Sequence, residues 1–249
     1  MSIVGWEKLP QEMQTEEVKR YYDILRKKKT ELFFKRGFDF VLSLVGIILF
    51  SPIYLILAIA IKLDSPGPVF YRQERVTQYG KHFRIHKFRT MVQNADKGSL
   101  LTVNNDSRIT RVGKLIRRCK LDETAQLIDV LQGTMTFVGV RPETPQFVAA
   151  YTKEMLATLL LPAGVTSLAS IYYKDEAEML NGVENVDQVY IEKILPEKMY
   201  HNLKGMEQFS FCNDIKVMFM TVFAILGKKY KSKLEGAESV VSTGTIGKN

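Results

Sequence analysis

Two adjacent acidic residues, Asp122 and Glu123, lie within the most basic stretch of the chain. The cations of this stretch are Lys87, Arg89, Arg108, Arg111, Lys114, Arg117, Arg118 and Arg141. A carboxylate surrounded by cations that can bind phosphate is suited to two tasks, holding Mg²⁺ or attacking phosphorus. Phosphoryl transfer requires neutralised phosphate oxygens and an aligned nucleophile, and cations together with a metal ion supply both. The pattern therefore indicates phosphoryl-transfer chemistry.

Each of these residues also has a purely structural interpretation. Asp122 could cap the helix that the apolar spacing of residues 127–131 predicts and that Gly133 would end. Arg141, within the sequence VGVRPE, could grip a diphosphate with its planar guanidinium or could form a surface ion pair. Residue types and spacing alone leave both interpretations open.

Composition narrows the class of protein. The chain has 249 residues and a formal net charge of +8, which calls for an anionic partner such as nucleic acid, anionic lipid or a phosphorylated small molecule. Cys119 and Cys212 form no CxxC pair, which favours a reducing compartment, and His82, His86 and His201 lack zinc-ligand spacing. GxGxxG and Walker A motifs are absent, so dinucleotide binding and P-loop chemistry lack support.

One segment, Val41 to Ile61, is uncharged over about twenty residues, the length that a membrane-spanning helix needs. Pro52 lies in its middle and removes a backbone donor, although Ser51 could bond a carbonyl of the preceding turn. Both flanks are basic, so the usual excess of positive charge on one side is missing. A spanning helix and a re-entrant helix broken at Ser51-Pro52 are both open, and a buried core helix is a third, weaker alternative.

The remaining chain predicts an α+β fold that is mostly α. After a turn at residues 64–68, alternating side chains around residues 69–73 and 83–88 flank a turn at Gln78–Gly80 and predict a hairpin. Beyond it most of the chain has helical composition. Residues 215–226 are apolar but too short to span a membrane, so this segment lies in the interface or packs on the domain.

These patterns divide the chain into four parts. Residues 1–30 form a charged interfacial helix, residues 31–66 the membrane helix, and residues 67–235 a small catalytic domain. Residues 236–249, rich in Ser, Thr and Gly, are predicted to be a disordered tail.

Four stretches, in order, carry a resemblance to a known family. They are KRGFDFVLSLVGIILFSPIYLILAIAIKLDSPGPVFYRQER, FRIHKFRTM, RITRVGKLIRRCKLDETAQLIDVLQGTMTFVGVRPE and LPAGVTSLASI. Through them the chain resembles the bacterial sugar transferase family, the small monotopic polyprenyl-phosphate phosphoglycosyltransferases that initiate surface glycan synthesis. Several motifs that match in sequence form a stronger signal than any single one.

The resemblance implies roles for individual residues. Asp122 matches the family's nucleophilic aspartate, which takes up the sugar-1-phosphate covalently and releases the nucleoside monophosphate. Glu123 matches its acidic neighbour, and Mg²⁺, expected at Asp122, is the family's metal. Substrate binding is expected of the residues in the matching basic and Arg-Pro motifs, which are Lys87, Arg89, Arg117, Arg141 and Pro142.

The resemblance also implies the partners and the location. A UDP-sugar would be the donor and undecaprenyl phosphate the acceptor, and the Ser51-Pro52 break would leave the domain on the cytoplasmic face of the bacterial inner membrane. Nucleic acid is not an expected partner, and the assembly is open, with a homodimer among the options. The competing hypotheses are a membrane-tethered phosphate- or nucleic-acid-binding scaffold without catalysis and a conventional glycosyltransferase, which would usually show an Asp-x-Asp motif that this chain lacks.

The chain departs from the family pattern in several places. Val140 stands where the family usually has Pro, and Asp129 and Thr134 occupy positions that are more often Asn and Asp. Small members carry a Gly-Arg pair shortly after the stretch that LPAGVTSLASI matches, and that Arg is absent here. No substrate contact is therefore carried over to Tyr172–Gln208, a region that we expect to bear on the choice of sugar.

Overall fold

The computed structural model describes residues 1, 3–93, 95, 108–180 and 185–230, so the predicted tail at residues 236–249 lies outside the described residues. The helices of these ranges are α1 (Glu16–Lys27), α2 (Lys29–Asp64), α3 (Arg111–Arg118), α4 (Leu127–Gln132), α5 (Pro145–Val148), α6 (Leu168–Tyr172), α7 (Glu176–Met179), α8 (Val186–Val189), α9 (Leu195–Glu207) and α10 (Phe211–Ile225). The strands are β1 (Phe70–Val76), β2 (His82–Phe88), β3 (Met135–Val138) and β4 (Ala163–Thr166). The predicted α+β class with mostly helical content is confirmed.

The two sheets of the described chain have two strands each. The predicted hairpin is confirmed, since β1 and β2 pair antiparallel with Tyr71 opposite Lys87 and a short turn at Gln78–Gly80 between them. The pattern of the sequence did not predict the second sheet, in which β3 and β4 pair in parallel with Met135 opposite Ala163. Parallel strands need a long connection, and here it contains α5 and the short helix Met155–Leu160.

Helix α2 is the long apolar element of the fold. It runs from Lys29 to Asp64 and continues through Pro52, whereas we predicted that the helix breaks at Ser51-Pro52. Pro52 leaves the carbonyl of Ile48, four residues earlier, without its backbone donor. The Ser51 hydroxyl donates to that carbonyl over 2.8 Å, which compensates for the loss and allows the helix to continue. A re-entrant course through a membrane stays a prediction.

The outer surface of α2 remains uncovered by the protein. In its most apolar window only 6% of the residues are buried, and the helix is long and apolar enough to enter or cross a membrane. Its large exposed side chains include Phe34, Leu49 and Ile56, which are 61%, 70% and 65% exposed. This exposure argues against the buried-core alternative, because an ordinary core helix would cover such side chains.

One stripe of α2 nevertheless faces the domain along its whole length, at residues spaced three or four apart. Near its start, Lys35 is buried and donates to the Val138 carbonyl over 2.8 Å and to Asp214 of α10 over 2.5 Å. Asp39, also buried, accepts from the backbone N–H of Phe137 over 3.2 Å. These contacts fix the first half of α2 to β3, whereas apolar side chains such as Leu57 and Ile61 fix the second half.

The terminal helices differ in what covers their apolar faces. Helix α1 packs its apolar face into the main core with residues of α9, through Val18, Tyr21, Tyr22 and Leu25. Helix α10 buries Val217 and Ala224 but leaves Phe219 and Phe223 more than half exposed. The apolar segment around residues 215–226 therefore packs on the domain with one face and presents the other outward.

Candidate active site

The acidic pair lies in the short connection between α3 and α4, where two other elements hold the backbone. The N–H of Phe88, at the end of β2, donates to the Asp122 carbonyl over 3.0 Å. The hydroxyl of Tyr54, from α2, donates to the Thr124 carbonyl over 2.8 Å. Asp122 and Glu123, called the acidic dyad below, are therefore fixed between the hairpin and α2. Helix α4 begins immediately after the turn Thr124–Gln126.

Glu123 has cationic partners on both of its carboxylate oxygens. The guanidinium of Arg141 binds it in bidentate fashion, with Nη1 at 2.9 Å from Oε2 and Nη2 on Oε1. Lys87 Nζ lies 3.2 Å from Oε1. Burial alone would raise the pKa of Glu123, but the two cations and their hydrogen bonds hold it far below its ordinary value. Glu123 is therefore a fixed anion.

Asp122 has different surroundings. Among the described residues, no other side chain forms a hydrogen bond or an ion pair with its carboxylate. Burial raises the pKa of Asp122, and the neighbouring charge of Glu123 raises it further, while Lys87 and Arg117 oppose both effects. The result is a carboxylate that is partly desolvated, close to cations and not engaged by them.

A cavity of about 470 Å³ opens beside Asp122. Its wall is strongly basic and includes Arg72, Arg84, Lys87 and Arg117 together with Asp122. A cavity of this size is in the range of small-molecule sites. Its charge suits an anion with several phosphate oxygens.

Lys87 is held in place by the backbone hydrogen bonds of its two neighbours in β2. The N–H of His86 donates to Asp129 Oδ2 over 2.8 Å, and the N–H of Phe88 donates to the Asp122 carbonyl. Burial lowers the pKa of Lys87, while the charge of Glu123 raises it in opposition. The ammonium group thus lies beside Glu123 and at the edge of the cavity.

Arg117 reaches the same cavity from α3. Its Nε donates to the Thr90 hydroxyl over 2.8 Å, and its side chain lines the cavity. Helix α3 can lie this close to the end of the hairpin because it has Gly113 there. A Cβ at Gly113 would stand 2.0 Å from the Thr90 carbonyl oxygen.

Arg141 follows a close approach of two backbones. Gly139 N donates to Thr166 O over 2.9 Å, and Gly164 N donates to Val140 O over 2.8 Å. A Cβ on Gly164 would lie 2.2 Å from the backbone of Gly139, so neither strand end tolerates a side chain. The VGVRPE segment therefore leaves β3 in a fixed direction that carries Arg141 to Glu123.

Comparison with known proteins identifies the family. The model of the bacterial sugar transferase family matches residues 30–228. The chain belongs to the bacterial sugar transferase family. The match covers α2, both sheets and the dyad, and so includes every element that shapes the site.

The curated relatives that the chain matches are covered over different shares of their own length. An N-acetylgalactosaminephosphotransferase of Aeromonas hydrophila that uses UDP-N-acetylgalactosamine and undecaprenyl phosphate is 35% identical over 78% of this chain and 44% of its own length. The UDP-glucose:undecaprenyl-phosphate glucose-1-phosphate transferases of Escherichia coli K12 and Caulobacter vibrioides are 35% and 32% identical. They are matched over 76% and 77% of this chain and over 39% and 69% of their own lengths. The chain thus spans less than half of the first two relatives.

Two predicted site residues lie away from the dyad of this sugar transferase. Arg89 is buried and donates to the Ser65 carbonyl over 2.6 Å and the Pro66 carbonyl over 2.9 Å, just after the end of α2. Pro142 contributes its carbonyl, which accepts from Arg75 Nη1 over 3.0 Å. Arg89 also lines the cavity beside Asp122, and substrate contact by Arg89 or Pro142 stays a prediction.

The three residues that depart from the family pattern, Asp129, Thr134 and Val140, each contact other residues of this chain. Both oxygens of the buried Asp129 are engaged by His86, one by its N–H and one by ring Nδ1, each over 2.8 Å. The hydroxyl of Thr134 donates to the Asp129 carbonyl over 3.1 Å. Val140 packs beside Phe147 in a second core cluster. A structural role in this chain therefore accounts for each of the three.

Sequence analysis did not single out a second group of buried polar residues behind Arg141. It consists of Arg75, Glu143, Tyr190 and Lys198, all of them largely buried. The only sequence signal was the presence of a Lys and a Tyr at inward positions of a helical segment, which ordinary amphipathic helices also show. Their proximity depends on long-range folding.

Proposed function

We propose that this sugar transferase moves a sugar-1-phosphate from a UDP-sugar to undecaprenyl phosphate through a covalent aspartyl-phosphosugar intermediate. The reaction releases UMP and is the first membrane step of bacterial surface glycan synthesis. The observation that carries the proposal is the carboxylate of Asp122, which lies at the wall of a basic cavity and has no side-chain partner among the described residues. The names of the relatives support the donor and acceptor classes.

In the first half-reaction, an Asp122 carboxylate oxygen attacks the β-phosphorus of the donor. A bond forms between that oxygen and phosphorus, and the bond from phosphorus to the bridging oxygen breaks, so UMP leaves with the electron pair. Lys87 and Arg117 lie on the cavity wall, where they would neutralise the phosphate oxygens as charge shifts to the leaving group. The fixed anion of Glu123 holds Lys87 in place for this task.

In the second half-reaction, a phosphate oxygen of undecaprenyl phosphate attacks the same phosphorus. The bond to Asp122 breaks, the aspartate is regenerated, and the product is an undecaprenyl diphosphate sugar. The raised pKa of Asp122 fits both steps, because a carboxylate of higher pKa is the better nucleophile and is still a competent leaving group.

The site also fits the predicted Mg²⁺, with Asp122 as its protein ligand. Among the described residues no group of three or more His, Cys, Asp or Glu side chains could hold a metal ion. Mg²⁺ commonly binds through one or two carboxylates plus substrate phosphates and water. In the part of the chain that the structure describes, no other side chain pairs with the Asp122 carboxylate, whereas both oxygens of Glu123 are occupied. When bound, the ion would neutralise charge on the diphosphate.

The long helix α2 supports a membrane location. Its exposed apolar surface needs a bilayer or another apolar cover. Its opposite face holds the rest of the domain through Tyr54 and Lys35, which bind the carbonyls of Thr124 and Val138. We propose that α2 enters the inner membrane and returns to the cytoplasmic face, where the lipid phosphate can approach Asp122. Single-cysteine labelling before Val41 and after Ile61 tests this topology, since labels on opposite sides would exclude it.

The reaction is tested with UDP-sugars labelled on the β-phosphate and on uridine, supplied without acceptor. We expect Mg²⁺-dependent release of UMP and label on the protein, with both absent in Asp122→Asn. Release of UDP would show a different reaction class, a glycosyl transfer. Binding without any product, weakening steeply with salt, would instead support a phosphate-binding scaffold.

A further inference from the structure

Behind Arg141 lies a buried set of charged and hydroxyl groups, of which Arg75 alone also lines the cavity. We call Arg75, Glu143, Tyr190 and Lys198 the Glu143 cluster. Arg75 belongs to β1 and Glu143 follows Arg141 by two residues, while Tyr190 and Lys198 come from the helical region before and within α9. The last two lie in the region for which the family resemblance gave no roles.

The contacts within the Glu143 cluster are short and mutual. The Tyr190 hydroxyl lies 2.5 Å from Glu143 Oε1, and Lys198 Nζ lies 2.7 Å from that hydroxyl and 3.4 Å from the same carboxylate oxygen. Arg75 Nη1 lies 3.9 Å from Glu143 Oε2. The side chains of Glu143 and Lys198 are only 6% and 7% exposed, so water cannot replace these partners.

The Glu143 cluster is connected to Arg141 through the backbone. Arg75 Nη1 donates to the Pro142 carbonyl over 3.0 Å, and the N–H of Val76 donates to the Glu143 carbonyl over 3.0 Å. The residue just after Arg141 and the next one are thus held to β1. A shift of the Glu143 side chain would be transmitted to Arg141 because only Pro142 separates the two.

The charges alternate through this part of the molecule. Lys87, Glu123 and Arg141 form the first group, and Arg75, Glu143 and Lys198 the second. Glu143 also contributes, after Glu123, to the raised pKa of Arg141. Glu143 is therefore a second carboxylate that can attract Arg141. Lys198 supplies the positive charge that offsets it, and it shares that charge with Glu176, whose Oε2 lies 3.0 Å from Lys198 Nζ.

We propose that Lys198 and Tyr190 are positioning residues for the transfer reaction, because they hold Glu143 and so leave Arg141 to bind Glu123. This inference rests on the proposed function. Without Lys198, Glu143 would be a buried carboxylate with too little positive charge around it, and Arg75 and Arg141 would turn toward it. Glu123 would lose its bidentate partner, and Lys87 would lose its alignment at the cavity.

Two buried tyrosines offer a matched comparison. The hydroxyl of Tyr190 donates to Glu143, and that of Tyr173 donates to Glu197 on the outer part of α9. Both rings are largely buried, at 1% and 8% exposed, so Tyr190→Phe and Tyr173→Phe each remove one hydroxyl bound to a carboxylate. We expect kcat to fall about five- to tenfold in Tyr190→Phe and to stay within about twofold of wild type in Tyr173→Phe. Melting temperatures of the two variants in the same detergent control for general loss of stability.

The charge balance is tested by a double variant. We expect kcat for UMP release to fall about ten- to a hundredfold in Lys198→Met, with the donor KM within about twofold, because Lys198 does not line the cavity. Glu143→Gln in the same chain removes the uncompensated anion. It should recover at least about fivefold of the lost kcat. Lys198→Arg should also restore part of kcat, and Lys193→Met, at an exposed position of the same region, should have no effect.

Distinct outcomes overturn the inference and the function. Equal kcat in the two tyrosine variants, a loss in Lys198→Met that appears in KM alone, or a double variant no faster than Lys198→Met would overturn the positioning role. If Asp122→Asn released UMP at the wild-type rate, the proposed function would fail first, whatever the Lys198 variants did.

Discussion

The two acids of the dyad face two different regions of the molecule. Glu123 points into a closed group of charges, where Arg141 and Lys87 occupy both of its oxygens. Asp122 borders an open basic cavity and has no such partner among the described residues. Neighbouring carboxylates in one short turn therefore have pKa values displaced in opposite directions.

The different surroundings of the two acids show how one sequence motif can provide both a scaffold and a reactive group. A paired carboxylate is a poor nucleophile because its lone pairs are engaged, but it can hold cations in place. An unpaired carboxylate near the same cations costs stability, and such strain is typical of functional sites. We therefore assign bond formation to Asp122 and positioning to Glu123.

Removal of each carboxylate should have unequal effects on the reaction. Asp122→Asn should abolish covalent transfer, with a fall in kcat of about 10³-fold or more, because the amide cannot form the phosphosugar bond. Glu123→Gln should leave a slow but measurable reaction, since the nucleophile remains. Rates of UMP release check this order, and a faster Asp122 variant than Glu123 variant would reverse our assignment.

Replacement of the main partner of Glu123 should have the next largest effect. Arg141→Lys retains the charge but loses the bidentate geometry, so we expect kcat to fall about ten- to a hundredfold. Lys120→Met removes a cation from an exposed position near the dyad and serves as the control. If Arg141→Lys transferred at the wild-type rate, the fixed geometry around Glu123 would be unimportant.

Stability should respond in opposite directions at the two positions. Asp122→Asn removes a carboxylate whose folded-state pKa lies above its ordinary value, so the free energy of unfolding near neutral pH should rise slightly. Glu123→Gln removes a paired anion and should lower the free energy of unfolding by about 1–3 kcal/mol. Denaturant unfolding in one detergent measures both, and a destabilised Asp122→Asn would show that its carboxylate has a partner.

The pH dependence provides a smaller but independent distinction. Because the pKa of Asp122 is raised, the acid limb of kcat/KM should lie at higher pH than an ordinary aspartate would give. Glu123 behaves oppositely. Because its pKa is lowered in the folded protein, Glu123 stabilises the fold at pH values above its unfolded-state pKa of about 4, and this stabilisation is lost only as the pH falls further. Activity should therefore fall at a pH where the fold is intact. Simultaneous loss of activity and structure would contradict this separation.

Local patterns predicted the parts of the fold that depend on nearby residues. Alternation gave the hairpin, and apolar spacing gave α4, which Gly133 ends in a left-handed conformation with φ at 88°. The second sheet could not be predicted in this way, because β3 and β4 are short and meet only where Gly139 and Gly164 allow the backbones to touch.

The candidate site likewise has features that depend on nearby residues and features that depend on long-range contacts. The sequence placed Asp122 and Glu123 among cations, but which acid is paired depends on Arg141, which arrives from a different strand. Arg89 was expected beside Lys87 because both belong to the basic motif of the family resemblance. Strand β2 ends at Phe88, however, and Arg89 turns to the end of α2.

The most direct test of the account is to locate the covalent phosphosugar within the protein. The enzyme would be mixed with UDP-sugar and Mg²⁺ without acceptor, quenched in acid, digested and mapped by peptide mass spectrometry. We predict one sugar-phosphate on Asp122, removed when undecaprenyl phosphate is added before the quench. Modification of Glu123, or turnover without any modified peptide, would contradict the division of roles between the two acids.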